Sequence, residues 1–141
     1  MTQIFAQAGA IPYRITDDRL EVLLISTRSG KHLTTPKGLI DPGLSASETA
    51  LNEAYEEAGT RGRLLMPDIG NYAYEKWGGI CEVRVFVMTV MEQFDRWPEQ
   101  TMRRRLWIDY RRAALRVKHL DLGKMMLSLP DHLKRTAADQ D

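Results

Sequence analysis

The chain has 141 residues, of which 43% are hydrophobic and 28% are charged. This length and composition suit one compact domain, so we expect a single domain over residues 1–141 with a frayed tail in the last few residues. The 20 basic and 19 acidic side chains give a net charge of +1, so the overall charge does not favour nucleic acid or an anionic membrane as a partner. The single cysteine excludes an internal disulfide.

The sequence also gives no sign of a membrane segment. No stretch reaches the roughly 18 consecutive apolar residues that a spanning helix needs. Residues 1–10, MTQIFAQAGA, lack the basic segment followed by a long apolar segment that marks a secretory leader. We therefore expect a cytoplasmic protein.

The first third of the chain predicts a β-hairpin followed by a loop. Residues 9–15 and 20–27 have the apolar, β-branched character of strands, and the TDD sequence between them favours a turn. Residues 28–32 then predict a loop, and residues 33–43 predict a short extended segment that ends in Pro and Gly.

A helix follows at residues 45–59, SASETALNEAYEEAG. Ser45 and Glu48 have the spacing of a capping box, and Gly59 supplies the left-handed residue that commonly ends a helix. Apolar side chains recur with the helical period and predict one buried face, formed by Ala50, Leu51, Ala54, Tyr55 and Ala58.

The rest of the chain predicts strands mixed with further helices. We expect a strand and a turn at 61–79, a strong strand at 80–91, a loop at 92–100, a short strand at 103–110 that leads into a helix near 110–118, and a last helix at 121–128 or beyond. Strands combined with two or three helices predict a layered α/β or α+β sandwich.

Three carboxylates, Glu53, Glu56 and Glu57, lie close together on the predicted helix. They fall within an arc of roughly 100° opposite the apolar face. Like charges three or four residues apart destabilise a helix by roughly 0.2–0.5 kcal/mol per pair, and negative charges near its C-terminal end oppose the helix dipole. The cluster is either a solvated acidic face or a site for a cation.

The sequence just before the helix favours the cation. TTPKG, residues 34–38, places backbone carbonyls and Lys37 next to a turn, DPG, that leads back onto the helix. Carboxylate and carbonyl oxygens suit Mg²⁺ or Mn²⁺, and a lysine beside them would attract phosphate. A divalent cation that holds phosphate oxygens and activates water is suited to hydrolysing phosphoanhydrides.

Residues 38–60 resemble the Nudix box: Gly, five residues, Glu, seven residues, Arg-Glu, an aliphatic residue, any residue, Glu-Glu, any residue, Gly, aliphatic. The match holds at the glycines and at the metal-binding carboxylates, namely Gly38, Glu53, Glu56, Glu57 and Gly59. Beyond the box, roughly residues 8–129 resemble diphosphoinositol polyphosphate phosphohydrolase-like Nudix proteins. The resemblance implies an α+β fold, a Nudix-like α/β/α sandwich with a mixed central sheet.

Three positions depart from the box: Leu44 replaces the first Glu, Asn52 the Arg, and Thr60 the last aliphatic residue. In the family the Arg orients a neighbouring carboxylate, so we expect Asn52 to weaken the positioning of Glu53. Neither Leu44 nor Asn52 stands at a metal-ligand position, so we expect activity at a reduced rate. The alternative is a catalytically weak or silent Nudix-fold module that binds nucleotides or regulates.

The resemblance also implies the roles of individual residues. Mg²⁺ or Mn²⁺ would be held by the carbonyl of Gly38 and the side chains of Glu53, Glu56 and Glu57. Glu56 and Glu53 would be the catalytic residues, with Glu56 acting as a ligand or as the general base on the attacking water.

Four basic side chains are expected to bind substrate: Arg28, Lys37, Arg103 and Arg105. The plain alternative for Arg28 is a solvated loop charge, and for residues 103–105 an exposed basic strand edge. The implied reaction is metal-dependent hydrolysis of a phosphoanhydride in a nucleoside diphosphate linked to another group, or in a related polyphosphate of the diadenosine polyphosphate or inositol pyrophosphate type. The expected partner is a phosphorylated small molecule, without membrane or nucleic acid, and a homodimer is left open.

Other aromatic and histidine side chains carry weaker signals. Trp77 lies at the predicted hairpin tip and is compatible with stacking on a base or with plain turn packing, and Trp97 is expected in the core or at a hinge. The three scattered histidines, His32, His119 and His132, do not form a metal motif and are expected on the surface.

Overall fold

The computed structural model describes residues 1–139. The strands and helices are, in chain order, β1 Ile4–Thr16, β2 Arg19–Ser26, β3 Leu33–Thr34, β4 Lys37–Leu39, α1 Ala46–Ala58, β5 Thr60–Lys76, β6 Gly79–Gln93, β7 Arg105–Asp109, α2 Tyr110–Arg116, α3 Leu120–Leu127 and α4 Leu129–Asp139. None of these helices has the length and the apolar character needed to cross a membrane.

The strands form one mixed sheet. Its main order is β3-β2-β1-β6-β5, with β4 also paired to β1 and β7 to β2. β1 and β6 run parallel over ten residue pairs, whereas the other strand pairs are antiparallel. Asp17 and Asp18 take left-handed backbone angles, φ 51° and 62°, which suit the tight turn between β1 and β2. The predicted hairpin is confirmed.

Helices cover both faces of the sheet. On one face, Ala50 and Ala54 of α1 pack against Ala8 and Ala10 of β1, where small side chains let the helix approach closely. On the other face, α2, α3 and α4 pack on a larger cluster that includes Ile11, Val85, Ala113, Leu122, Met126 and Leu129. Side chains alternate between the two faces along β1, as expected for a strand buried on both sides. The predicted α/β/α sandwich with a mixed sheet is confirmed.

The C-terminal part differs in detail from the sequence-based prediction. The last helix is two helices, because α3 ends at Ser128, whose hydroxyl donates to the Met125 carbonyl at 2.7 Å. Pro130 then occupies the first turn of α4, where a missing N–H costs no helical hydrogen bond. The predicted frayed tail and the single domain over residues 1–141 stay predictions, since residues 140 and 141 lie outside the described residues.

Candidate active site

Helix α1 begins and ends where its local signals predict. The Ser45 hydroxyl accepts from the Glu48 amide, and the Glu48 carboxylate accepts from the Ser45 amide, each at 3.1 Å. At the other end Gly59 has a φ of 63°, in the left-handed region. These bounds place Glu53, Glu56 and Glu57 in the last two turns of the helix.

A cavity of about 670 Å³ opens beside this end of the helix. Its wall carries acidic and basic side chains in equal number. The acidic ones are Glu53, Glu56, Glu57, Glu75 and Glu99. The basic ones are Arg28, Lys37, Lys76, Arg103 and Lys118. The structure thus brings together all the predicted site residues except Arg105.

Glu57 is the most firmly held of the carboxylates. One oxygen accepts from the backbone amide of Lys37 at 3.1 Å, and the other accepts from Nη2 of Arg103, also at 3.1 Å. The residue is only 8% exposed. Burial raises the pKa of the Glu57 carboxyl, while Arg103 and the Lys37 amide act in the opposite direction. Glu57 is therefore fixed between strand β4 and Arg103.

Glu53 lies against Gly38 of β4. A Cβ atom at position 38 would overlap the Glu53 carboxylate, so only glycine leaves room for this side chain as it stands. Burial, together with the charges of Glu57 and Glu56, raises the pKa of Glu53 to about 8. Without a cation, this acid is consequently protonated over much of the neutral range.

The donor chemistry of this group fits a hard divalent cation. Carboxylate oxygens are the ligands that Mg²⁺ and Mn²⁺ prefer, and a cation would relieve the repulsion that raises the pKa of Glu53. Within residues 1–139, no three acidic, histidine or cysteine side chains form a ready-made metal cage. Mg²⁺ does not require one, because it commonly keeps several waters and binds one or two carboxylates plus substrate phosphates.

The cavity also carries basic side chains. Among the described residues, no ion pair joins Arg28, Lys37 or Lys76 to a carboxylate. The Lys37 ammonium lies 4.9 Å from the centre of the Tyr74 ring, and that of Lys76 lies 4.6 Å from the Trp77 ring. Burial lowers the pKa of Lys37. These charges are suited to a substrate that carries phosphate groups.

Arg103 lines the cavity but is almost fully engaged by the protein. Its Nε donates to Glu99 at 2.9 Å, its Nη1 to the Ser26 carbonyl at 3.0 Å and its Nη2 to Glu57 at 3.1 Å. Its side chain is 8% exposed. A contact between Arg103 and substrate stays a prediction.

Arg105 lies behind the end of α1 instead of on the cavity wall. Its Nη1 donates to the carbonyls of Ala58 at 3.2 Å and Phe94 at 2.9 Å. Its guanidinium stacks 3.7 Å from the centre of the Trp97 ring. Substrate binding by Arg105 stays a prediction, and these contacts favour a structural role.

Comparison with known proteins agrees with this geometry. The family model described as the NUDIX domain matches residues 6–126. The chain belongs to the Nudix family. It is 33% identical to Nudix hydrolase 16, mitochondrial, of Arabidopsis thaliana over 130 residues, which cover 79% of this chain and 72% of the relative. It is 34% identical to Nudix hydrolase 4 of the same plant, but spans only 53% of that relative.

Solved structures show the same Nudix fold. A binary complex of Ap4A hydrolase from C. elegans superposes with a TM-score of 0.79 at 21% identity, covering 92% of this chain and 98% of that one. A NUDIX hydrolase from Nitrosomonas europaea gives a TM-score of 0.74 at 17% identity, covering 92% and 90%. The predicted family and its enzyme class, a Nudix-type pyrophosphohydrolase, are confirmed. The subfamily and the cytoplasmic location stay predictions, and the name of the first relative places that protein in mitochondria.

Sequence reasoning missed several residues of this Nudix site. Glu99 is a further acidic side chain of the cavity wall, and it lies in an irregular loop whose sequence has no helical or strand periodicity. Tyr74 and His119 also line the cavity, with ring centres 4.8 Å apart, and the two-residue alternation along β5 could have indicated Tyr74. The expectation of surface histidines is wrong for His132, which is 3% exposed.

Trp77 shows turn packing at the tip of the β5–β6 hairpin. Its ring meets Phe5 edge-on at 5.3 Å, and its backbone φ is 54°, which is unusual for a large side chain. The side chain lines the cavity, and the residue is 53% exposed. Stacking on a base stays a prediction.

Proposed function

We propose that this Nudix protein hydrolyses a phosphoanhydride bond with the help of Mg²⁺ or Mn²⁺. The substrate class is a nucleoside diphosphate linked to another group, or a related polyphosphate. The observation that carries the proposal is the cluster of Glu53, Glu56 and Glu57 at the end of α1, which shares one cavity with basic side chains. Burial and the neighbouring carboxylates raise the pKa of Glu53 in this cluster to about 8.

The metal would be held by Glu53, Glu56 and Glu57, together with the carbonyl of Gly38. When bound, such an ion neutralises phosphate oxygens on which charge develops during the attack of water. Glu57 keeps one fixed orientation because Lys37 and Arg103 both donate to it. Glu53 fills the space that Gly38 leaves beside it.

Proton removal from the attacking water is assigned to Glu56. Glu56 is exposed at the cavity, unlike Glu57, so it is accessible to a water molecule there. Arg28 and Lys37, which line the same cavity, are assigned to the phosphate groups that flank the scissile bond. Holding the water and the phosphates in one cavity would bring the reacting groups together.

The remaining cavity wall supports a substrate with a flat ring. Tyr74, Trp77 and His119 all line the cavity, and aromatic side chains are common in sites that bind ring-bearing ligands. A nucleoside provides such a ring, so dinucleoside polyphosphates and nucleoside diphosphate sugars are the first substrates to test.

The test is a substrate panel with Mg²⁺, with Mn²⁺ and with a chelator. The panel contains diadenosine polyphosphates, nucleoside diphosphate sugars, nucleoside triphosphates and inositol pyrophosphates, and product release is followed by ion-exchange chromatography. We expect metal-dependent cleavage of at least one compound, abolished by the chelator. Binding of nucleotide without any turnover would instead support the silent module, for which Leu44 and Asn52 are the sequence features.

A further inference from the structure

The end of helix α1 is covered by residues 94–105, which we call the capping loop; it comprises an irregular segment and Arg105, the first residue of β7. The last four C=O groups at the end of a helix have no partner within the helix and need donors from elsewhere. The capping loop provides one donor for each of the four carbonyls at residues 56–59: Glu99 N to Glu56 O at 3.0 Å, Trp97 Nε1 to Glu57 O at 3.1 Å, Arg105 Nη1 to Ala58 O at 3.2 Å, and Phe94 N to Gly59 O at 2.8 Å.

This contact matters because the end of α1 concentrates negative charge. The helix dipole is negative there, three carboxylates lie in the same two turns, and the last turn contains no basic residue. The capping loop supplies N–H donors and the guanidinium groups of Arg103 and Arg105. It therefore provides from outside the helix the positive charge that the helix itself lacks.

The loop and the helix end fit closely. A Cβ atom on Gly59 would lie 2.8 Å from Cγ of the Trp97 ring, so a larger residue would displace the indole. Glycine is thus required at position 59 for two reasons: the backbone there is left-handed, and the Trp97 ring leaves no room for a side chain.

Arg103 connects the capping loop to the carboxylates themselves. Its three hydrogen bonds end on three separate elements: Glu99 in the loop, the Ser26 carbonyl at the end of β2, and Glu57 on α1. Both side chains of the Arg103–Glu57 pair are largely buried, at 8% and 11% exposure. The guanidinium holds one oxygen of Glu57 while the Lys37 amide holds the other, and together the two donors restrict the orientation of the carboxylate.

We propose that the capping loop is the positioning element of the metal site, and that Arg103 is the positioning residue through which it acts on Glu57. The proposal rests on the proposed function, since it takes the ligand of Glu57 to be a divalent cation. Arg103 would orient Glu57, a task of the kind that the box arginine performs on a neighbouring carboxylate in the family and that Asn52 cannot perform. Fixing a ligand before the ion arrives removes part of the ordering cost of binding.

The direction in which the cation affinity changes when Arg103 is removed distinguishes positioning of Glu57 from simple repulsion of the cation. If Arg103 only repelled the incoming cation, removing its charge would tighten binding. If Arg103 positions Glu57, removing it weakens binding, by about 10- to 100-fold as for other groups that orient metal ligands.

The experiment is calorimetric titration of Mn²⁺ into the intact protein and its variants. Arg103→Gln should bind Mn²⁺ about 10- to 100-fold more weakly than the wild type, and Arg103→Lys should fall between them, because a lysine keeps the charge but not the fork of donors. Arg104→Gln is the matched control: this neighbouring arginine is exposed, donates to the Gly30 carbonyl at 3.3 Å, and should leave the affinity unchanged.

A second variant guards against misfolding of the first. Trp97→Phe removes the indole N–H that donates to Glu57 O and keeps an aromatic ring over Gly59, so we expect a few-fold weaker Mn²⁺ binding. Circular dichroism checks that each variant is folded. Affinities equal to or tighter than that of the wild type in folded variants would overturn the inference alone. A wild type that binds no Mn²⁺ would overturn the proposed function, and the inference with it.

Discussion

Two groups of side chains in the cavity are held in opposite ways: the carboxylates with Arg103, which we call the acidic wall, and Arg28, Lys37 and Lys76, which we call the basic wall. On the acidic wall, Glu57 and Arg103 are buried, and each is held by several hydrogen bonds at 2.9–3.1 Å. On the basic wall, Arg28, Lys37 and Lys76 have no carboxylate partner among the described residues, and the two lysines lie over aromatic rings. The side chains of the acidic wall are held in place before a ligand binds, whereas those of the basic wall can adjust to it.

The difference matches two kinds of ligand. Ligands of a small ion must stand within a few tenths of an ångström of their places, so their orientation has to be set by the protein. Phosphate groups of a substrate arrive and leave in every cycle, and long basic side chains can follow them. Substitutions on the acidic wall should accordingly reduce turnover, and substitutions on the basic wall should mainly raise KM.

The largest expected effect is that of Glu57→Gln. It removes a proposed metal ligand, so hydrolysis should fall by at least about 100-fold, more than the loss of a residue that merely orients a ligand. From the sequence alone, relief of helix repulsion would leave the stability unchanged or slightly higher. The buried Arg103 reverses this expectation, because the guanidinium loses one of its two carboxylate partners, and the Tm should fall by a few degrees. Glu82→Gln, on an exposed position of β6, is the control for both measurements. Near-normal turnover in Glu57→Gln would contradict the metal assignment.

The pH dependence of stability tests the repulsion on the acidic wall. The folded chain raises the pKa of Glu53 from its ordinary value to about 8, so the folded state favours the protonated acid. Its stabilising contribution is therefore complete at pH values below the unfolded pKa and is lost as the pH rises through about 8.

In metal-free buffer, the Tm should thus decrease as the pH rises towards about 8, including the part above the range in which the histidines titrate, and should level off above about 8. Mg²⁺ should raise the Tm, and more strongly at the higher pH, because it binds the ionised carboxylate of the folded chain. Glu53→Gln should remove most of the slope. Equal Tm values across this range, with no response to Mg²⁺, would favour a solvated acidic face.

On the basic wall, Arg28→Gln should have a smaller effect and one of a different kind. Losing one charged phosphate contact should raise KM about 10-fold while kcat stays within about 2-fold. Lys31→Gln is the matched control, because Lys31 lies in the same exposed loop but does not line the cavity. A large fall in kcat with an unchanged KM would instead show that Arg28 supports turnover, the role expected of the acidic wall.

The smallest expected effect is that of Asn52→Arg, which restores the family residue. Asn52 is exposed, and Arg103 already holds Glu57. We expect kcat/KM to change by less than about 2-fold, because the site is already positioned through another arginine. A gain of about 10-fold would show that the natural site is loosened and that Arg103 does not replace the box arginine.

The parts of the site that the sequence predicts arise from signals between residues that lie close together in the chain. The capping box at Ser45, the left-handed Gly59 and the alternation of the strands are local signals, and each is present in the structure. The carboxylates were found because helical spacing puts them on one face. Nothing local predicts the contact of Arg103 with Glu57, 46 residues away, or that of the Trp97 indole N–H with the same residue, 40 positions away. An aperiodic loop carries no pattern from which such contacts can be inferred.

The central claim is that the carboxylates at the end of α1 bind a divalent cation, and a Mn²⁺ titration followed by electron paramagnetic resonance tests it most directly. The signal of free Mn²⁺ reports binding without any need for a substrate. For the wild type we predict saturable binding, weakened at least about 100-fold in the double variant Glu53→Gln/Glu57→Gln, which lacks two of the proposed ligands. Absence of saturable binding in the wild type, or equal binding by the folded double variant, would contradict the claim.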